Sequence, residues 1–179
     1  MIETILQSSR IGSPETVYKD HVRHVYRVVA EFNSFAKEYY VSDNGQRAGV
    51  IVVRQKEVLL VRQYLLLING LGLEVPGGKV DDGKTLEVAA MRECQKETGV
   101  RCSGLNHLLN YYPGLDVSQN HTHIFYTNEF IELPQVNPER RVWLPLARCV
   151  EMVLSGEILD GMSIIALLAY YVHRNRREQ

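Results

Sequence analysis

The chain has 179 residues, enough for one domain with at most a small accessory sheet or arm. Apolar residues make up 45% and charged residues 23%, an ordinary balance for a globular protein, and the net charge of −1 offers no bulk attraction for nucleic acid or an anionic membrane. The longest apolar stretch, Ile164 to Val172, is about half of the ~18 residues that a membrane-spanning helix needs.

Three cysteines, Cys94, Cys102 and Cys149, are too few and too scattered for a disulfide framework or a zinc cluster. They read as reduced, buried thiols, which places the protein in the cytoplasm. The N-terminal residues lack a basic region followed by an apolar run, so no signal peptide is expected.

Taken in chain order, residues 16–42 are rich in aromatic and β-branched side chains in short alternating runs, and predict two or three strands. Ser42-Asp43-Asn44-Gly45 is a turn, its Asn-Gly pair suited to positive φ. Ala48 to Arg54 and Val58 to Tyr64 then form a hairpin around Gln55-Lys56-Glu57, and Leu71 to Val75 is a further strand ending at Pro76. After the glycine-rich turn Pro76-Gly77-Gly78, the pattern predicts a helix over Thr85–Thr98. Thr85 is its N-cap, Glu87 lies in the first turn, and Gly99 is its stop. Leu86, Ala89, Ala90 and Cys94 form its buried stripe. Strands follow at Leu105–Tyr112, His121–Phe130 and Val142–Leu144, then helices from Leu146 to Leu154 and from near Ser163 into a basic tail. Strands with a few interposed helices point to a mixed α/β or α+β fold.

The chemistry sits on the first helix. Glu93 and Glu97 are four residues apart, so their Cβ atoms lie about 5–6 Å from each other on one face. Like charges so placed are either both solvated or hold a cation between them. Lys96 lies roughly 60° around the helix from Glu93 and is close enough to pair with it, which would neutralise the face without any metal. His121 and His123 would share one strand face with no third ligand evident, and Tyr111 and Tyr112 read first as strand packing.

Residues Gly78 to Val100 resemble the Nudix box, a loop–helix–loop with the pattern G-x5-E-x7-R-E-U-x-E-E-x-G-U, where U is aliphatic. Gly78, Arg92, Glu93, Glu97, Gly99 and Val100 match in register, with Cys94 in an aliphatic place. Lys84 stands where the first glutamate belongs, and Lys96 where the first of the paired glutamates belongs. The likeness extends to Val58–Tyr64, Leu73–Asp81, Tyr112-Pro113-Gly114, Ser155–Ile158 and Ile164–Leu168, and is similar to the ADP-ribose pyrophosphatase branch of that family.

The resemblance implies an α/β/α sandwich with a mixed sheet over residues 48–179, preceded by an N-terminal strand region, residues 1–47, that pairs two copies into a homodimer. It implies hydrolysis of the pyrophosphate bond of a nucleoside diphosphate linked to another moiety, a nucleotide sugar such as ADP-ribose, with no nucleic-acid or membrane partner. Mg²⁺ (or Mn²⁺) would neutralise the phosphates and activate water, held by Glu93, Glu97 and a carbonyl at Gly78 or its neighbour. Arg92 would brace the loop, Glu139 would be the catalytic carboxylate from the loop Leu133–Glu139, and Glu74, Arg62 and Pro113 would meet substrate. With Lys84 in the box, Asp81 or Asp82 would take over the brace for Arg92. Relatives carry an acidic residue after Pro-Gly, where Asp116 and Asn120 are near, and an arginine where Leu65 stands. The two lysines leave a second reading open, a catalytically impaired nucleotide-binding or sensing domain.

Overall fold

A computed structural model describes residues 7–134 and 138–177; Gln135, Val136 and Asn137 of the loop read as carrying the catalytic carboxylate lie outside it, as do Met1–Leu6 of the N-terminus. The chain forms two compact units, one of residues up to Gly45 together with Tyr112–His121, the other of Gln46–Tyr111 together with the residues from Thr122 onward.

The first unit is an antiparallel sheet of β1 (Arg10–Ile11), β2 (Glu15–Lys19), β3 (His24–Glu31) and β4 (Ala36–Asp43), with β3 paired to the other three. Asp20 closes the β2–β3 turn by accepting from the backbone N–H groups of Val22 and Arg23 at 2.7 and 2.6 Å. Arg27 on β3 bridges its neighbours, donating to Glu15 at 2.7 Å and Glu38 at 2.9 Å. In the Tyr112–His121 segment the Ser118 N–H donates to the Gly114 carbonyl at 2.9 Å, and the rings of Tyr112 and His121 stack with centroids 4.3 Å apart.

The second unit holds β5 (Arg47–Arg54), β6 (Glu57–Leu65), β7 (Gly70–Glu74), β8 (Gly77–Lys79), α1 (Leu86–Thr98), β9 (Val100–Cys102), β10 (Asn106–Tyr111), β11 (Thr122–Thr127), β12 (Phe130–Glu132), β13 (Arg141–Pro145), α2 (Leu146–Leu154) and α3 (Gly161–Asn175). Its sheet runs β10-β11-β5-β6-β13, with β7 added to β6 and β8 to β5. The β5–β11 pair is parallel and the other pairs are antiparallel, so the sheet is mixed.

Side-chain alternation along the strands divides the core in two. Ala48, Val50, Val52 and Leu59 pack with Ala89, Ala90 and Cys94 of α1. Ile51, Val58 and Leu60 point the other way, onto Leu146 and Cys149 of α2 and Met162, Ala166 and Leu167 of α3. Helices therefore cover both faces, giving the α/β/α sandwich expected from the sequence.

Three elements differ from the sequence pattern, each for a local reason. The His121–Phe130 run splits into β11 and β12. The Glu129 N–H donates to Thr127 Oγ1 at 3.0 Å, turning the chain so that β12 pairs with β9 instead. The glycine-rich turn is also a short strand, β8, which pairs with β5 through Ala48↔Gly78 and Gly49↔Gly77. A Cβ at Gly77 would lie 2.7 Å from the Ala48 carbonyl and Gly49 Cα, so only glycine fits that approach. Finally, α3 starts at Gly161, with Asp160 as N-cap accepting from the Ser163 N–H at 2.8 Å.

Ser163, fully buried, turns its hydroxyl inward to accept from the Val75 N–H at 2.8 Å. Ser163→Ala leaves that donor unsatisfied, and the expected cost is about 1–3 kcal/mol. Urea unfolding should show a lower midpoint at unchanged slope.

Candidate active site

The first helix is bounded as its caps dictate. Thr85 Oγ1 accepts from the Val88 N–H at 3.3 Å, and Gly99, at φ 69°, sends its N–H to the Gln95 carbonyl at 2.9 Å. With the ends fixed, Ala89, Ala90 and Cys94 face the sheet and carry Glu93 to the rim of the core, where only 6% of it stays exposed.

Backbone without side chains covers this acidic face. A Cβ at Gly78 would lie 2.9 Å from both Cγ and Cδ of Glu93, so the strand rests directly on the carboxylate. One turn on, Glu97 Oε2 accepts from the Gly77 N–H at 3.2 Å. The two glycines thus join β8 to both glutamates.

Arg92 ties the entry loop to the helix. Its Nη2 donates to the Lys79 carbonyl at 2.9 Å and to Glu93 Oε1 at 2.7 Å, and Nε donates to the same oxygen at 3.1 Å. Its Nη1 pairs with Asp81, so Asp81 rather than Asp82 braces the arginine here. Lys84 closes the exposed turn through its backbone N–H on the Asp81 carbonyl at 3.1 Å. Lys96 Nζ donates to the second Glu93 oxygen, Oε2, at 2.6 Å.

These contacts make the two glutamates unlike. Burial alone would push Glu93 up, but hydrogen bonds from Lys96 and Arg92 outweigh it and hold the carboxyl below its usual range. Glu97 is raised, chiefly by burial and further by the Glu93 charge, against the opposing pull of the Gly77 N–H, Lys96 and Arg140.

Beside the helix lies a second set of polar groups. The turn Pro138–Arg140 brings Arg140 into electrostatic reach of Glu97 and lets its Nη2 donate to Gln63 Oε1 at 3.4 Å. Gln63 donates in turn to Glu74, whose carboxyl is raised by burial and by neighbouring Asp160 and lowered by Gln63 and Arg47. Arg62 Nη1 reaches the Glu139 carbonyl at 3.4 Å, and the Glu139 side chain is exposed. The residues named from the sequence, Glu93, Glu97, Arg92, Gly78, Glu74, Arg62 and Glu139, all lie in the second unit. Sequence reading gave no role to Gln63, which lies within the Val58–Tyr64 likeness, or to Arg140, Arg47 and Asp160, which belong to no motif; these meet only through the sheet.

Pro113, Asp116 and Asn120 belong to the first unit. His121 stacks on Tyr112 in that unit, while His123 sits on β11 opposite Asn110. Among the described residues no group of three or more His, Cys, Asp and Glu side chains is gathered for a metal. Tyr111 packs against the core beneath α2 and α3. Both Glu93 oxygens are engaged by Arg92 and Lys96, so of the pair it is Glu97, beneath a strand that has no side chains at Gly77 and Gly78, whose carboxylate fits a hard divalent ion that retains several waters.

Residues 43–156 match the family described as NUDIX domain. The chain is 31% identical over 138 residues to a CMP-5'-(N-acetyl-N-hydroxy-3-aminopropyl)phosphonate hydrolase of Streptomyces rubellomurinus, covering 74% of this chain and 67% of that protein. It is 23% identical to an ADP-ribose pyrophosphatase of Bacillus subtilis over 138 residues, 74% of this chain and 75% of the relative. Among solved structures, a crystal structure of an ADP compounds hydrolase superposes with a TM-score of 0.81 over 97% of this chain and 98% of the other, at 21% identity, a likeness of fold.

Replacing Glu93 by glutamine leaves the Arg92 and Lys96 charges without their shared counterion, at an expected cost of about 2 kcal/mol at neutral pH. Because the folded-state pKa of Glu93 lies below its unfolded value, this contribution is complete above the ordinary glutamate range and is lost as pH falls through the lower folded value. Thermal melts of both proteins across the acid range should therefore converge as pH drops.

Proposed function

The chain belongs to the Nudix family, and from that premise we propose that it carries out Mg²⁺-dependent hydrolysis of a nucleoside diphosphate linked to a second moiety, with an ADP-ribose-like nucleotide sugar as substrate. It is a pyrophosphohydrolase acting on nucleoside diphosphate derivatives; the metal, the sugar and the residue roles are our reading. The observation that carries it is Glu97, one helical turn from Glu93 and fixed by the Gly77 N–H.

In this reading Glu97 and a carbonyl at Gly78 or its neighbour hold one Mg²⁺, with Glu93 beside it engaged by Arg92 and Lys96, and Mn²⁺ would serve at the same oxygens. The ion, when bound, offsets phosphate charge and makes water a better nucleophile. The water oxygen bonds to one phosphorus while the bridging P–O bond breaks. The bridging oxygen leaves with the other phosphate, and the products are a nucleoside monophosphate and a phosphorylated remainder. Glu139, exposed on the segment next to Arg140, takes a proton from the attacking water. Arg140 and Arg62 face the diphosphate oxygens, and Glu74, its carboxyl raised by burial, meets a hydroxyl of the substrate. Arg92 is a positioning residue, since its donors are taken up by Lys79, Asp81 and Glu93.

The first unit serves a homodimer, a reading supported by β2, exposed along its whole length with Val17 and Tyr18 among its residues. Three buried free thiols suit a reducing cytoplasm. Lys96 on Glu93 favours a second reading, a nucleotide-binding or sensing domain without turnover.

Incubation of the pure protein with Mg²⁺ or Mn²⁺ and a panel of nucleoside diphosphate derivatives, CMP-linked phosphonates included, separates the two. Glu97→Gln should lower kcat on the order of 10²–10³-fold, and Arg140→Ala should raise KM more than it lowers kcat. Tight nucleotide binding without turnover, indifferent to chelator, would establish the sensor instead.

A further inference from the structure

Lys96 and Glu93 stand in i,i+3 relation on α1, and their contact at 2.6 Å is a direct ion pair. The Glu93 side chain is only 8% exposed. Oε1 already receives two donors from Arg92, and Oε2 receives the ammonium. A cation that came to Glu93 Oε2 would have to displace Lys96 or sit against its charge.

Where the Nudix box has glutamate, the exchange to lysine adds two positive charges to this helical face, the charge of one divalent ion. The ammonium is a compact point charge with three donors, only one of them spent on Glu93 Oε2. The Lys96 side chain is 67% exposed, so its ammonium is accessible from solvent while it pairs with Glu93. Arg92 has no such freedom, being held at Lys79, Asp81 and Glu93.

We propose that the Lys96 ammonium takes the place of a second divalent ion at Glu93, so that the site works with one exchangeable cation and one covalently tethered cation. The proposal rests on the reading of Glu97 as a holder of the exchangeable ion. Lys96 is thereby a substrate-contacting group, neutralising a diphosphate oxygen as an ion would. The Lys96 charge also bears on Glu97, among the influences that lower its pKa, which places the tethered cation within reach of both carboxylates.

Titration of the full chain with Mn²⁺, counting free ion by its electron paramagnetic resonance signal, tests this without reference to turnover. The wild type should bind one ion per chain, Lys96→Glu should bind two, and Lys96→Gln should bind one several-fold more tightly, its like charge having been removed. Two or more ions on the wild type overturn the proposal. So does a Lys96→Glu protein that is folded by circular dichroism and still binds one. If Lys96→Glu does not fold, Lys96→Gln decides: tighter Mn²⁺ supports the tethered cation, and unchanged affinity overturns it. No ion on the wild type or on any variant sinks the Glu97 reading together with this one, whereas one ion on all three sinks this proposal alone.

Discussion

A buried carboxylate that stays charged needs cations on it, and most of what this protein does near Glu93 follows from meeting that need. Arg92 and Lys96 each occupy one of its oxygens. Because Arg92 also grips the Lys79 carbonyl and Asp81, satisfying Glu93 fastens the loop after β8 to the helix. Strand β8 itself reaches Glu97 through the Gly77 N–H. A single ionised group thus sets the position of strand, loop and helix together, and the absent side chains of Gly77 and Gly78 are what let the backbone come close enough.

Two glutamates of identical chemistry acquire different characters from this arrangement. Glu93 is held ionised by fixed partners, while burial leaves Glu97 more easily protonated and less committed. Such divergence between neighbouring carboxyl groups lets one helix face carry both a fixed anchor and a group of a different protonation character. The exchange of carboxylate for lysine at position 96 reads in the same terms, as a change in which cations are built into the chain and which are taken from solution.

Much of this was legible before any coordinates. The limits of α1 followed from Thr85 and Gly99, and those of α2 from the apolar run between Pro145 and Ser155, because caps and stops act within a few residues. The Lys96–Glu93 pair was visible from helical spacing alone. That Arg92 would need a new brace was clear from Lys84, but the choice of Asp81 over Asp82 depends on how the turn curls around Gly83. Strand β8 was hidden because Gly77-Gly78 carries the local signature of a turn, and its pairing partner lies on β5. Ser163 looked like a helix start; its hydroxyl instead serves Val75, a residue far away in sequence. Arg140 had no motif to announce it, since its neighbours Gln63 and Glu97 are brought near only by the folded sheet.

The parallel pairing of β5 with β11 has a consequence for biosynthesis. All of α1 and its glycine loop leave the ribosome before β11, so the nascent chain carries β5 with one edge bare until residues Thr122–Thr127 emerge. Closing that long loop is entropically slow, and a bare, strongly apolar edge is a template for pairing with other chains. A polypeptide ending ahead of Thr122 would therefore aggregate rather than survive as a smaller catalyst, and the acidic helix is synthesised before the strand that completes the sheet beneath it.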